Sequence, residues 1–387
     1  MYDLIVCGGG TAGCAVAIAA AEQGLKVLLC EQFAQLGGII TSSCVGYIMD
    51  ARDKNDVLPG FLKDIFDCCS VGGSTVGGTM VNSETMKYYL EDRLVNAGVE
   101  LRYFTRVIGV DKEGDKITSV VLSQKSDVVR ESASIYVDCT GDGELGYLAG
   151  CSYDLSAPDK LQPASFYVLV TGIEYDEVKD FLFNTLHIYS EDAKANLLKE
   201  FKRAGFTPTY LCPTLGYIEN GLFFYGINHQ FLHEISADEL TRATVLGRRE
   251  VFESAKALKS LGGCWKNLTV ANSPGMIGVR EGRRIKGVKT VTKDDLIAGT
   301  SYENAMCNVT HAVDIHDKNG YNQAGIKAKP YDIPVEAMTS AEISNLYMAG
   351  RCISGDYYAY ANYRLSGNTI TMGWNLGKRL SEVLKIK

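Results

Sequence analysis

The stretch YDLIVCGGGTAGCAVAIAAAEQGLKVLLCE, from Tyr2 to Glu31, limits the fold more than anything that follows it. YDLIVC and KVLLC are short, continuous apolar runs bounded by glycine or charge, the pattern of strands buried on both faces. The run between them is rich in alanine, the best helix former, and ends on Gly24, a natural helix stop. Parallel strands need such a crossover, so this is one βαβ unit and the chain is committed to an α/β sheet.

Gly8, Gly10 and Gly13 fall on the GxGxxG spacing at the strand-to-helix turn, and Glu31 closes the next strand. The first glycine permits the tight turn, the second lets backbone approach a pyrophosphate, and the third lets helix pack on strand. Free amides at the helix start, around Thr11 and Ala12, attract phosphate. Glu31, with Gln32 beside it, is placed to accept from ribose hydroxyls. The unit specifies an ADP-bearing cofactor and leaves FAD and NAD both open.

Three later stretches favour FAD. LGGIITSS (36–43) brings the pair Gly37-Gly38, VDCTGDGELGYLAG (137–150) brings a second glycine turn after a strand, and NLYMAGRCIS (345–354) precedes the last helix. A long cofactor touched from the start, middle and end of the chain fits all three.

This combination resembles the FAD-dependent oxidoreductases of the glutathione-reductase-like superfamily, specifically members with GIRESRR-like, DIH-like and AGRCIS-like motifs. Here these read IGVREGRRIKG (277–287), VDIH (313–316), YDIP (331–334) and MAGRCIS (348–354). The resemblance implies non-covalent FAD, with Glu31 on the adenosine ribose, Gly37 and Gly38 along the diphosphate and the backbone near Val107 against adenine. It implies further contacts from Thr140, Gly141, Asp142, Gly350 and Arg351, and a flavin ring near Arg364 and a helix beginning about Asn368. Three departures bear on the substrate: Gly282 where a serine is usual, Val335-Glu336 after YDIP, and Ser366-Gly367 before the last helix.

The rest of the chain completes an architecture. NSETMKYYLEDRLVNA (82–97) is predicted as an amphipathic helix with Ser83 as its cap, followed by strands in VELRYF, TRVIGVDKE and ITSVVLSQ, then ASIYVDC (133–139). Residues 166–262 change character, with helices in SEDAKANLLKEFKRAG and SADELTRATVLGRREVFESAKALKSLG between aromatic strands such as GLFFYGINH. The expected fold is a doubly wound, Rossmann-like FAD-binding domain of glutathione-reductase type, formed by 1–165 and 335–387. A mixed α+β substrate or cap domain, 166–334, is inserted into it.

Composition narrows the functions. A net charge of −7 gives no attraction to phosphate backbones, so nucleic acid is a poor partner. No apolar stretch approaches the roughly 20 residues of a membrane span, and the first strand begins at Tyr2, so membrane insertion is not expected and the expected location is cytoplasmic. Twelve cysteines sit mostly inside apolar runs, without zinc spacing, and read as small buried thiols; the vicinal Cys68-Cys69 is the one pair that invites a redox reading. No metal is expected.

A flavin enzyme needs a group that moves a proton when the hydride moves. Arg280-Glu281-Gly282-Arg283-Arg284 is the most charged stretch, in which Arg280 or Arg284 binds an anionic or hydroxyl-rich substrate while its neighbour pairs with Glu281. His316 is the candidate proton acceptor. Tyr360, in the aromatic run Asp356 to Arg364, is a third catalytic candidate as part of a flavin-pocket wall. The expected activity is hydride transfer between FAD and a CH–OH or CH–NH group of a small polar, possibly carbohydrate-like substrate. The alternatives are a flavin reductase acting on a double bond or ketone, and a flavin-binding redox-responsive or assembly protein without turnover. Nothing resembles a second dinucleotide fingerprint, so oxygen, a quinone or a protein is the expected electron acceptor.

Overall fold

The computed structural model describes residues 1–49, 52, 55–75, 78–185, 188–317 and 319–385. The elements that position the site are β1 (Tyr2–Cys7), α1 (Thr11–Glu22), β2 (Val27–Cys30), α2 (Ser83–Asn96), β3 (Glu100–Arg102), β4 (Ala133–Asp138), β5 (Val168–Thr171), β6 (Thr214–Glu219), β7 (Leu222–Gly226), α3 (Ala237–Ser260), β8 (Thr269–Asn272), β9 (Leu346–Met348), α4 (Tyr357–Tyr363) and α5 (Ser366–Lys385).

Five strands form a parallel sheet in the order β9-β4-β1-β2-β3. Its register matters more than its order. Cys7 pairs with both Cys30 and Asp138, Asp138 with Met348, and Cys30 with Arg102. The carboxyl ends of all five strands are therefore level, and the loops that leave them open into one crevice, where open α/β sheets bind ligands. An apolar strand such as β1, with Leu4, Ile5 and Val6 fully buried, is what two covered faces demand.

Helix α1 is buried along nearly its whole length, from Ala12 to Ala21. Its small side chains let α5 cross it at close range: a Cβ on Gly373 would stand 2.5 Å from the Ala12 carbonyl oxygen, and one on Gly377 2.5 Å from that of Val16. The two ends of the chain thus share a seam. The helix predicted at 82–97 forms as α2, but Asn82, not Ser83, caps it, its side chain accepting from the amides of Glu84 and Thr85 at 2.9 and 3.3 Å. Asparagine and serine are equally good caps; the chain turns in one residue earlier.

The middle of the chain builds a four-stranded antiparallel sheet, β6-β7-β5-β8, backed by α3. Its core runs from Leu161 to Ile277 and includes Phe166, Phe201, Phe223, Tyr225 and Trp265. Apolar residues from Ile285 to Ile333 pack instead with the parallel sheet. We therefore propose that the inserted unit be drawn from Leu161 to Ile277 and not through residue 334, because a domain is defined by the core it shares. Every cysteine is a free thiol, and Cys68 is exposed while Cys69 is buried. Among the described residues no helix is long and apolar enough to cross a membrane, and no cluster of side chains suits a metal ion.

Candidate active site

A cavity of about 990 Å³ lies between the parallel sheet and the inserted unit. At its glycine end, Gly8 turns the chain with φ of +104°, and its amide donates to the Cys30 carbonyl at 2.8 Å. Gly13 must be glycine for the protein's own packing, since a Cβ there would fall 1.9 Å from the Gly8 oxygen. Gly10 differs. A Cβ there would meet only the Gly38 Cα, at 4.0 Å. The protein leaves the space above Gly10 open, and no side chain caps the start of α1, whose first amides lack helical acceptors. A cradle of bare backbone at a helix N-terminus is what a diphosphate requires, and Gly37, bridged to Gly10, brings Gly38 to its rim.

Glu31 lies at the end of β2 and lines the cavity. Its carboxylate accepts from the Gly9 amide at 2.7 Å and the Phe33 amide at 2.8 Å, and burial pushes its pKa up against those two bonds. Gln32 and Val107 line the same end. Beside them the second glycine turn is organised by Asp138, fully buried at the end of β4, which accepts from Thr140 (amide 3.0 Å, hydroxyl 2.7 Å) and from the Gly146 amide at 2.9 Å. Arg351 lies against Gly141 and pairs with Asp142 at 2.6 Å. A side chain on residue 282 would come within 2.6 Å of the Asp142 carboxylate, which accounts for the glycine in the usual serine's place.

The opposite end is built of side chains. Arg364, at the end of α4, donates through Nη2 to the Asp314 carbonyl at 2.7 Å, the Asp314 carboxylate at 3.1 Å and Gln162 Oε1 at 3.2 Å. Gln162 Oε1 also accepts from the His316 amide at 3.0 Å. Asp314 Oδ1 stands 3.1 Å from His316 Nε2. An ionised carboxylate can only accept, so the imidazole carries its proton on Nε2. Nδ1 is then an acceptor, buried and, among the described residues, without a partner. Burial, with Arg280 nearby, holds the His316 pKa down to about 4 against the pull of Asp314. For Asp314, burial acts upward, but His316 and Arg364 outweigh it and the carboxyl lies well below its usual range.

Arg280 donates through Nη1 to the Pro163 carbonyl at 2.7 Å and Ser165 Oγ at 2.9 Å, and through Nη2 to the Tyr167 hydroxyl at 3.4 Å. Behind His316 lies a second buried imidazole, His229, with ring centroids 5.2 Å apart; Tyr210 stacks on it at 3.9 Å. His229 Nδ1 meets the Asp317 carbonyl at 2.8 Å, and burial holds its pKa well below the usual value. Aromatic side chains, among them Tyr47, Tyr167, Phe183, Tyr210 and Phe224, line the rest of this end.

The cavity brings together most residues the sequence nominated: Gly8, Gly10, Thr11, Ala12, Glu31, Gln32, Gly38, Val107, Thr140, Gly141, Asp142, Arg280, His316, Gly350, Arg351 and Arg364 all line it. Gly13, Gly37, Asn368 and Tyr360 do not. Asn368 is buried, donating to the Asn362 carbonyl at 3.4 Å, and the helix expected to begin there begins at Ser366, which itself lines the cavity. Tyr360 is fully buried, its hydroxyl donating to the Arg280 carbonyl, so it shores up the wall from behind. The run from Asp356 to Arg364 is not a lining strip: Asp356 caps α4, and of the run only Arg364 reaches the cavity. Arg284 is withdrawn, buried against Glu281 at 3.8 Å and the Gly355 carbonyl at 3.0 Å. Glu336, one of the departures, accepts from Asn304 at 2.8 Å in a turn away from the cavity lining.

Gln162, Asp314, Tyr210 and His229 escaped the sequence reading. Asp314 had a signal: two residues before His316 on extended backbone, it faces the same side. The others come together only through the fold.

The chain matches the family model described as FAD dependent oxidoreductase over residues 3–378. Among curated relatives, it is 24% identical over 161 residues to digeranylgeranylglycerophospholipid reductase from Methanococcus aeolicus, covering 38% of this chain and only 40% of that protein's length. Among solved structures, a geranylgeranyl bacteriochlorophyll reductase-like protein from Thermoplasma acidophilum superposes with a TM-score of 0.56 at 14% identity, covering 100% of this chain and 79% of that one. An aromatic hydroxylase from angucycline biosynthesis gives 0.55 at 13% identity, with 99% and 62% covered. At such identities these structures are likenesses of fold.

Proposed function

The chain belongs to the FAD-dependent oxidoreductase family and its cofactor is FAD; from that premise we propose that it exchanges a hydride between flavin N5 and a CH–OH or CH–NH carbon of a small polar substrate held at the Arg280–His316 end of the cavity. The observation that carries this reading is the Asp314–His316 pair in the cavity wall, 3.1 Å apart. We read the parallel sheet as the glutathione-reductase type of FAD domain, with Gly8, Gly10 and the first amides of α1 on the diphosphate and Glu31 on the adenosine ribose. The open space above Gly10 and the uncapped helix start support that placement.

Bound FAD supplies a centre that takes up or gives back a hydride. The chain supplies the acceptor for the substrate's proton. Asp314 fixes the Nε2–H tautomer of His316, which leaves Nδ1, buried in the cavity wall, as the nitrogen that accepts from a substrate hydroxyl or amine. With a pKa near 4, the imidazole is neutral at pH 7 and free to accept. The imidazolium that forms is stabilised by Asp314, itself held ionised by Arg364. Gln162, bonded to both His316 and Arg364, fixes the spacing.

A second reading has its own observation. The aromatic wall of Tyr47, Tyr167, Phe183, Tyr210 and Phe224 suits an apolar chain, and reduction of a double bond by reduced FAD would use it. One anaerobic experiment separates the two. Sugars, amines and hydroxy acids are mixed with oxidised holoenzyme, and unsaturated chains and ketones with photoreduced holoenzyme. Bleaching of the oxidised flavin's visible absorbance by the first group supports hydride abstraction. Reoxidation by the second group alone overturns it in favour of alkene or ketone reduction.

A further inference from the structure

The arginines that line the cavity differ in what they face. Arg351 pairs with Asp142, Arg364 with Asp314, and Arg106 with Glu144. Arg248 lies over the Phe166 ring at 4.9 Å. Arg280 contacts three neutral oxygens, and among the described residues no carboxylate lies within ion-pair distance of it. A guanidinium has five N–H donors, and these contacts leave Nε–H and one Nη2 hydrogen without an acceptor among the described residues. The carboxylate nearest in charge, Asp314, is already paired with Arg364 and His316. A partly buried cation without a direct partner is costly, and a bidentate carboxylate is the partner that restores the balance.

We propose that Arg280 seats a substrate carboxylate, and that the substrate is a small organic acid bearing its hydroxyl or amino group on the carbon next to that carboxylate. The adjacency comes from one segment of chain. Gln162 bonds His316 and Arg364, while Pro163 and Ser165, one and three residues on, hold Arg280. Consecutive Cα atoms are about 3.8 Å apart, so the guanidinium and the backbone amide of His316 are anchored to neighbouring links, and the imidazole lies close enough to Arg280 to feel its charge. A short molecule spans them; a long one does not. The inference rests on His316 as proton acceptor for the substrate class, but the seat itself depends on Arg280 alone.

The test uses holoenzyme and three matched pairs: lactate and lactamide, alanine and alaninamide, mandelate and mandelamide. Binding is read by calorimetry and by perturbation of the flavin spectrum, and turnover by anaerobic bleaching. At least one acid is expected to bind tenfold or more tighter than its amide. In Arg280→Gln that preference is expected to fall within twofold, with flavin content unchanged; Arg280→Lys keeps part of it. In His316→Gln the preference persists while bleaching slows. If no acid binds better than its amide, or the preference survives in Arg280→Gln with full flavin content, the carboxylate seat is overturned. Acids that bind through Arg280 yet never bleach the flavin leave the seat standing and sink the hydride reading. Bleaching by neutral diols without acid preference does the reverse.

Discussion

At one end of the cavity the wall is backbone and at the other it is side chain. Gly8, Gly10 and Gly38 present amides and empty space, and their geometry is set by strand register and φ angles. Gln162, Arg280, Asp314, His316 and Arg364 present charge, and their geometry is set by hydrogen bonds between segments up to 202 residues apart. At Gly8 and Gly38 the first construction has no room for an added atom, and at Gly10 the room is left for a ligand. The second tolerates substitution of shape but not of proton or charge.

The largest effect should come from adding atoms at the glycine end. The Cβ of Gly10→Ala meets no protein atom closer than the Gly38 Cα, at 4.0 Å, so the fold should survive while flavin content falls below roughly a tenth of wild type, measured by absorbance after purification. Gly13→Ala should do the opposite, costing the fold itself about 3 kcal/mol through overpacking against the Gly8 carbonyl, read by denaturant melts. If both variants lose flavin and fold together, the distinction between cradle and packing glycine is wrong.

Next in size is the proton. His316→Gln should retain FAD and slow anaerobic bleaching by roughly a hundredfold or more, the range of lost general base catalysis. Asp314→Asn should slow it as well, because the tautomer is no longer fixed.

The charged end also sets a pH dependence. His316 is neutral in the folded chain, but the unfolded chain takes up a proton below about 6.5, so the unfolded state binds more protons between there and about pH 4. Its contribution is fully present above 6.5 and is lost as pH falls through that window, by about 3 kcal/mol at about 1.4 kcal/mol per unit. Denaturation midpoints at pH 7.5 and 4.5 should therefore differ less in His316→Gln than in wild type. An unchanged difference would show that the imidazole is not buried neutral.

The smallest effect belongs to Tyr360→Phe. Removing the hydroxyl strips the Arg280 carbonyl of its donor, costing about 1–3 kcal/mol of stability. Bleaching should change by less than about threefold, since the wall is supported from behind and not replaced.

These contrasts explain what could be read in advance. Gly8-x-Gly10-x-x-Gly13 and Glu31 are legible because their work is local: a turn, a helix start and the next strand end lie within one βαβ unit. Arg364 and Arg351 were reached only through resemblance. Gln162 and Tyr210 carry no local mark, and their roles arise from the segments that bond or stack on them. Tyr360 and Asn368 show the converse, since the aromatic run pointed to the one and the resemblance to the other, and packing buries both outside the cavity lining.

The seam between α1 and α5 bears on the order in which the chain is made. In synthesis α1 is made long before Gly373 and Gly377, which close on it. Until α5 follows, the part of α1 at Ala12 and Val16 lacks that cover, and Ser366, which lines the cavity, does not yet exist. FAD is on this account a ligand of a chain that already carries α5, and a chain cut short before α5 should never become yellow.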